Sequence, residues 1–120
     1  MTAALLGLDE VRFINLVAAR RVAGDQSAAP DTPNARLEDV RSEEPPVRAA
    51  QLAVALARPG ALAVAALPTA LLAVVCQLRR DGLRLIAPQG VAAGMIRGLS
   101  TGRVGVEDFA AWLADRAISA

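Results

Sequence analysis

Histidine is absent from the whole chain, which removes the commonest general base and the commonest metal ligand together. Cys76 is the only cysteine, so a disulfide framework is excluded. It lies in the uncharged run from Ala70 to Leu78, where a free thiol is expected to pack as a small buried hydrophobe. A reactive thiol needs a nearby cation or helix N-terminus, and Arg79 and Arg80 fall further along the same stretch. The acidic pairs Glu43-Glu44 and Glu107-Asp108 are adjacent and diverge on a helix, so they read as solvated surface rather than a working carboxylate dyad. Arg20-Arg21 and Arg79-Arg80 read as helix-end charges, and Phe109 and Trp112 as core fillers. Metal, redox and acid–base chemistry therefore find few groups to work with.

The elements that must position these residues are helices. The 120 residues suit one domain spanning 1–120; they are 54% hydrophobic but only 2% aromatic, and Ala, Leu, Val and Ile at helical spacing must build the core. Thirteen basic against twelve acidic residues leave a net charge of +1, too weak a field to select nucleic acid or an anionic membrane. The uncharged stretch from Pro59 to Leu78 has the length of a membrane span. Pro59-Gly60, Pro68 and Gln77 interrupt it, and alanine replaces much of the bulk that drives insertion, so a long buried central helix is the expectation. Met1 to Gly7 lacks the basic start of a signal peptide, which makes the expected location cytoplasmic.

Along the chain, Asp9 to Val22 reads as an amphipathic helix with Val11, Ile14, Val17 and Ala18 on one face, Asn15 off it, and Gly24 beyond its end. Asp25 to Pro46 collects four prolines and reads as loop with a short helix over Ala35 to Ser42. Val47 to Arg58 is helical and stops at Pro59-Gly60. The next helix begins at Ala61 or at Pro68 and ends at Arg79, Arg80 and Asp81-Gly82. Leu83 to Ala87 is an extended link, Pro88 opens a helix closed by Ser100 to Gly102, and Val106 to Ala117 is the last helix. The fold class is thus all-α, a compact single-domain bundle of about six helices.

The order of these elements and several short words resemble the Doc branch of the Fic family. The words are LDEV at Leu8, ARLEDV at Ala35, RAAQLAVALAR at Arg48, TALLAVVCQLRRDGLRLIAP at Thr69 and GRVGVEDFAAWLADR at Gly102. The resemblance runs from about Leu5 to Ala114. It implies a Doc/Fic-like fold and a family activity that transfers AMP, or phosphate, onto a protein hydroxyl. The family motif reads His-Pro-Phe, any residue, Asp, Gly, Asn, any residue, Arg. Its histidine takes the hydroxyl proton, its acid helps hold a metal, and its Asn, Arg and glycine-rich backbone cradle phosphate.

Aligning Ala55 to Arg58 before the motif and Thr69 to Leu71 after it requires no gap. The histidine position is then Gly60, the proline Ala61, the phenylalanine Leu62, the acid Val64, the glycine Ala65, the asparagine Ala66 and the arginine Pro68. No functional residue of the family carries over, and the family's β-hairpin flap is shortened to the loop around Asp25 to Pro46. With 54% hydrophobic residues, 9 Gly and 7 Pro, chance replacement yields apolar substitutes often, so selection and decay both stay open. The expected protein is neither an AMP-transferase nor a kinase, and needs no cofactor or metal. Its old cleft is expected to be an apolar pocket lined by Leu62, Val64, Leu67 and Thr69, holding a hydrophobic small molecule and guiding a shape-controlled cyclisation or isomerisation in biosynthesis. The alternative is an inactive toxin-like member of a toxin–antitoxin pair that binds an antitoxin-like protein. Homo-oligomerisation is open in both.

Overall fold

A computed structural model describes residues 4–23, 37–58, 61–62 and 65–120. Within them the chain is a mostly helical globule of five α-helices and a small two-stranded sheet. The helices are α1 (Leu8–Ala23), α2 (Pro45–Ala57), α3 (Ala66–Arg80), α4 (Gln89–Thr101) and α5 (Val106–Arg116), with a single 3-10 turn at Leu37–Asp39. Antiparallel strands β1 (Leu83–Leu85) and β2 (Ala117–Ser119) complete it.

α2 starts with Pro45 and Pro46, whose missing amide protons fall where a helix has no internal acceptors to offer. The Glu44 carbonyl then accepts from the Arg48 amide at 2.7 Å. α3 begins at Ala66, between the two expected starts, with Pro68 in its first turn, where proline is tolerated. Arg79 and Arg80 close it against the negative end of the helix dipole, and Gly82 turns the chain with φ +81°.

The central helix is α2, a correction to the long buried helix expected around Ala61 to Arg80. Ala49, Ala50, Leu52, Ala53 and Leu56 of α2 are fully enclosed, and α2 packs on α3, α4 and α5. α3 lacks charge before Arg79 but buries one face only, through Ala70, Ala73, Val74 and Leu78. Lack of charge reports low solvation demand, whereas burial is decided by how many neighbours a helix has. Small side chains at Ala49, Ala53, Ala70 and Ala73 let helices approach closely, while Leu52, Leu56, Ile96, Phe109 and Leu113 supply the volume. The Phe109 and Trp112 rings stack at 5.7 Å and 21°, Trp112 being half-buried, so both pack at the core as expected.

The sheet adds a feature to the all-α expectation. Leu83 to Leu85 pairs with Ser119 to Ala117, and flanking bonds run from the Ile86 amide to the Arg116 carbonyl (2.8 Å) and from the Ala120 amide to the Gly82 carbonyl (3.0 Å). The extended link after α3 thus acquires a partner from the far end of the chain, and helix α5 stops at Arg116. The short helix expected over Ala35 to Ser42 is the 3-10 turn alone among the described residues. The loop around Asp25 to Pro46, read as a shortened flap, lies partly outside them.

Buried polar groups tie these elements together. Arg48 of α2 pairs with Asp81 at the end of α3, their side chains only 7% and 3% exposed. Gln77 of α3 is fully buried; its Oε1 accepts from the Leu6 amide at 2.8 Å and its Nε2 donates to the Ala4 carbonyl at 3.2 Å. Arg80 donates to Glu10 of α1 through both terminal nitrogens. Among the described residues no helix is long and apolar enough to cross a membrane.

Candidate functional site

The segment joining α2 to α3 occupies the place of the aligned motif. Arg58 ends α2 with its carbonyl accepting the Ala61 amide at 3.0 Å, and Ala61 and Leu62 are buried. Gly60 and Val64, the positions aligned with the family's histidine and acid, lie outside the described residues. Ala65 then adopts a left-handed conformation, φ +53° and ψ 40°, and its carbonyl accepts the Thr69 amide at 3.0 Å. Leu67 is half-buried against the core, and Pro68 is exposed.

Thr69 was the one lining candidate able to hydrogen-bond a ligand. Its side chain is fully buried, and its hydroxyl accepts a bond of 3.0 Å from the Asn15 amide nitrogen. Asn15 is itself 4% exposed, which corrects its expected place off the buried face of α1. The two residues match each other because a buried amide and a buried hydroxyl each need a partner. Of the four candidate lining residues, Leu62 belongs to the hydrophobic core, Leu67 packs against it, Thr69 faces Asn15, and Val64 is not described.

None of Gly60, Val64, Ala66 and Pro68 carries a side-chain donor, acceptor or titratable group. Among the described residues no group of three or more His, Cys, Asp or Glu side chains is placed to hold a metal ion. No family model matches the chain, and no curated protein matches its sequence.

Two hollows lie away from this segment, and both are open to the surface. One of about 480 Å³ sits between α1 and α3, where Phe13 and Ile14 face Cys76 and the Arg80–Glu10 pair. Cys76 is exposed there, which corrects the buried thiol expected from its apolar neighbours: the α3 face carrying it meets the hollow instead of the core. Arg80 holds the Glu10 carboxyl below the usual carboxylate range, aided by the Gly7 amide, against a small opposing effect of desolvation.

The second hollow, about 510 Å³, lies between α2 and α5. Val47 of α2 and Val106, Ala110, Ala111 and Ala114 of α5 form its apolar surface, with Glu44 and Glu107 at its rim. Gln51 makes a fixed wall, because its Oε1 accepts from the Arg41 and Ser42 amides at 3.0 Å each. Neither hollow was anticipated. The α5 positions lie at helical spacing and were visible as such, but small alanines gave no reason to single them out.

Proposed function

We propose that this chain is a Doc/Fic-like helical protein that transfers neither AMP nor phosphate, and that the segment once devoted to transfer is an apolar binding region. The observation that carries this reading is Ala65. It is held left-handed at the position where the resembled motif has glycine, although the motif's polar side chains are gone. A non-glycine residue in that conformation costs about 1 kcal/mol or more, so a bare connecting loop has no reason to keep it. A retained backbone path without its chemistry fits an inherited fold put to another use.

In this reading Val64 and Leu67 offer the contact face for a hydrophobic small molecule, and Leu62 and Thr69, both buried, back the segment from the core. With Thr69 accepting from Asn15, that face binds by dispersion and desolvation. Any reaction guided there, such as a cyclisation in a biosynthetic pathway, runs on substrate orientation rather than proton transfer. Calorimetry with magnesium and ATP is expected to show no heat of binding; tight, magnesium-dependent binding would overturn the assignment. Val64→Asp and Leu67→Asp are expected to keep the thermal melt near the parent's yet weaken a hydrophobic fluorescent probe. Folded variants that bind the probe like the parent would remove the site.

The second reading, an inactive toxin-like protein that binds an antitoxin-like partner, is favoured by the form of the two hollows. Both are clefts between neighbouring helices that open to the surface, as a docking helix requires, rather than enclosed cavities.

A further inference from the structure

We propose that the groove between α2 and α5 receives a basic amphipathic helix of a partner protein, with its apolar face on the alanines of α5 and its cations against Glu44 and Glu107. The inference rests on the partner-binding reading and goes beyond it by naming the surface and the chemistry of its occupant.

The shape of the groove is set by two helices. Ala110, Ala111 and Ala114 follow one another at i, i+1 and i+4, so a stripe of α5 has methyl groups only. Such a stripe lets another helix bring its backbone close, and Val47 and Val106 flank it with larger apolar contacts. Val106 is 37% exposed, one of few large hydrophobic residues left in water among the described residues. The 11 residues of α5 extend about 16 Å, about three turns, which matches a helix anchored at i, i+3 or i+4, and i+7. A smaller hollow of about 150 Å³ shares Gln51 and Val106 and continues the cleft along α2 past Val54 towards Arg58.

Charge selects the occupant. The main hollow has two carboxylates, Glu44 and Glu107, and no cation among its lining residues. An acidic helix would meet repulsion there, and an uncharged one would leave the rim unmatched, whereas lysine or arginine flanking an apolar stripe satisfies both. Gln51, fixed by two backbone amides, keeps the α2 wall from collapsing inward.

The test uses the full chain and two fluorescein-labelled helical peptides of one amphipathic pattern, one of leucine and lysine, the other of leucine and glutamate. Fluorescence anisotropy is expected to show saturable binding of the lysine peptide that weakens with added salt, and none of the glutamate peptide. Ala111→Arg, which fills the stripe, and the double variant Glu44→Lys/Glu107→Lys each change exposed positions, and each is expected to weaken binding by about tenfold or more with an unchanged melt. Phe13→Ser, in the other hollow, is expected to leave it unchanged. The proposal is overturned if neither peptide saturates, if both bind alike, or if the groove variants bind like the parent while Phe13→Ser does not. It is equally overturned if sedimentation shows that a second copy fills the groove, with self-association lost in Ala111→Arg. Nucleotide binding would end the reading of a protein without transfer activity and leave these titrations unaltered, and a silent groove would leave the Leu62 to Thr69 segment untouched.

Discussion

The two ends of α3 treat polar groups in opposite ways. At its start the side-chain hydrogen bond described is the one between Asn15 and Thr69, while Leu62, Ala66 and Leu67, close in sequence, lie in or against the hydrophobic core. At its end Gln77, Arg80 and Asp81 reach α1, α2 and the N-terminal segment at once. Polarity in this molecule therefore gathers where chain segments must be fastened. The start of α3 has the buried Asn15–Thr69 bond among the described residues. A buried polar group here is better read as a fastener than as a catalyst, since each one named has its bonds inside the protein.

Breaking the fastened end has the largest expected effect. Asp81→Ala leaves the Arg48 guanidinium enclosed without its counter-ion, and its Nε already has no hydrogen-bond partner among the described residues. Urea unfolding is expected to show a loss of about 3–5 kcal/mol, with much of it restored when Arg48 is also replaced by Met. A single substitution costing no more than an exposed pair would mean that the pair is not enclosed. Next in size, Gln77→Ala strands the Leu6 amide and is expected to cost about 1–3 kcal/mol by the same measurement. Protease cleavage near residues 4–7 should quicken if Gln77 is what holds them.

The apolar end offers a change of opposite sign. Ala65→Gly relieves the left-handed strain and is expected to stabilise by about 0.5–1 kcal/mol, the gain being reduced by glycine's greater freedom when unfolded. A loss of stability there would remove the reason for reading Ala65 as an inherited glycine position. The smallest effect concerns pH. The Glu10 carboxyl is depressed in the folded state, so its contribution is present above the unfolded value, about 4.3, and is lost as pH falls through the lower folded one. Because the Arg80–Glu10 side chains are 33% and 45% exposed, screening holds this below about 1 kcal/mol. Glu10→Gln should flatten that acid limb slightly, and salt should diminish the difference from the parent.

How far the fold could be read ahead varied with the range of the forces involved. The α1, α2, α4 and α5 boundaries fell within a few residues of the expected ones because prolines, glycines and apolar spacing act within a few residues. Val11 and Ala18 were placed correctly on the buried face of α1 by the same rule, while Asn15 was not, since its burial is made tolerable by distant partners such as Thr69, 54 positions away. Cys76 failed for a related reason: an apolar neighbourhood in sequence does not reveal which side of a helix lacks a neighbour. Of the candidate lining residues, Leu62 and Leu67 were legible as apolar contacts, but Thr69 was already matched to α1.

By itself the sequence determined the helical character, the breaks at Pro45-Pro46 and Gly102, and the absence of histidine and of a second cysteine, all properties of composition and of neighbouring residues. Only the tertiary structure decided that α2 rather than α3 is central, that Arg48 meets Asp81, that β1 finds β2, and that alanines of α5 border an acid-rimmed groove. Those outcomes depend on which distant segments meet, and burial and charge pairing belong to the meeting of two surfaces and not to either one alone.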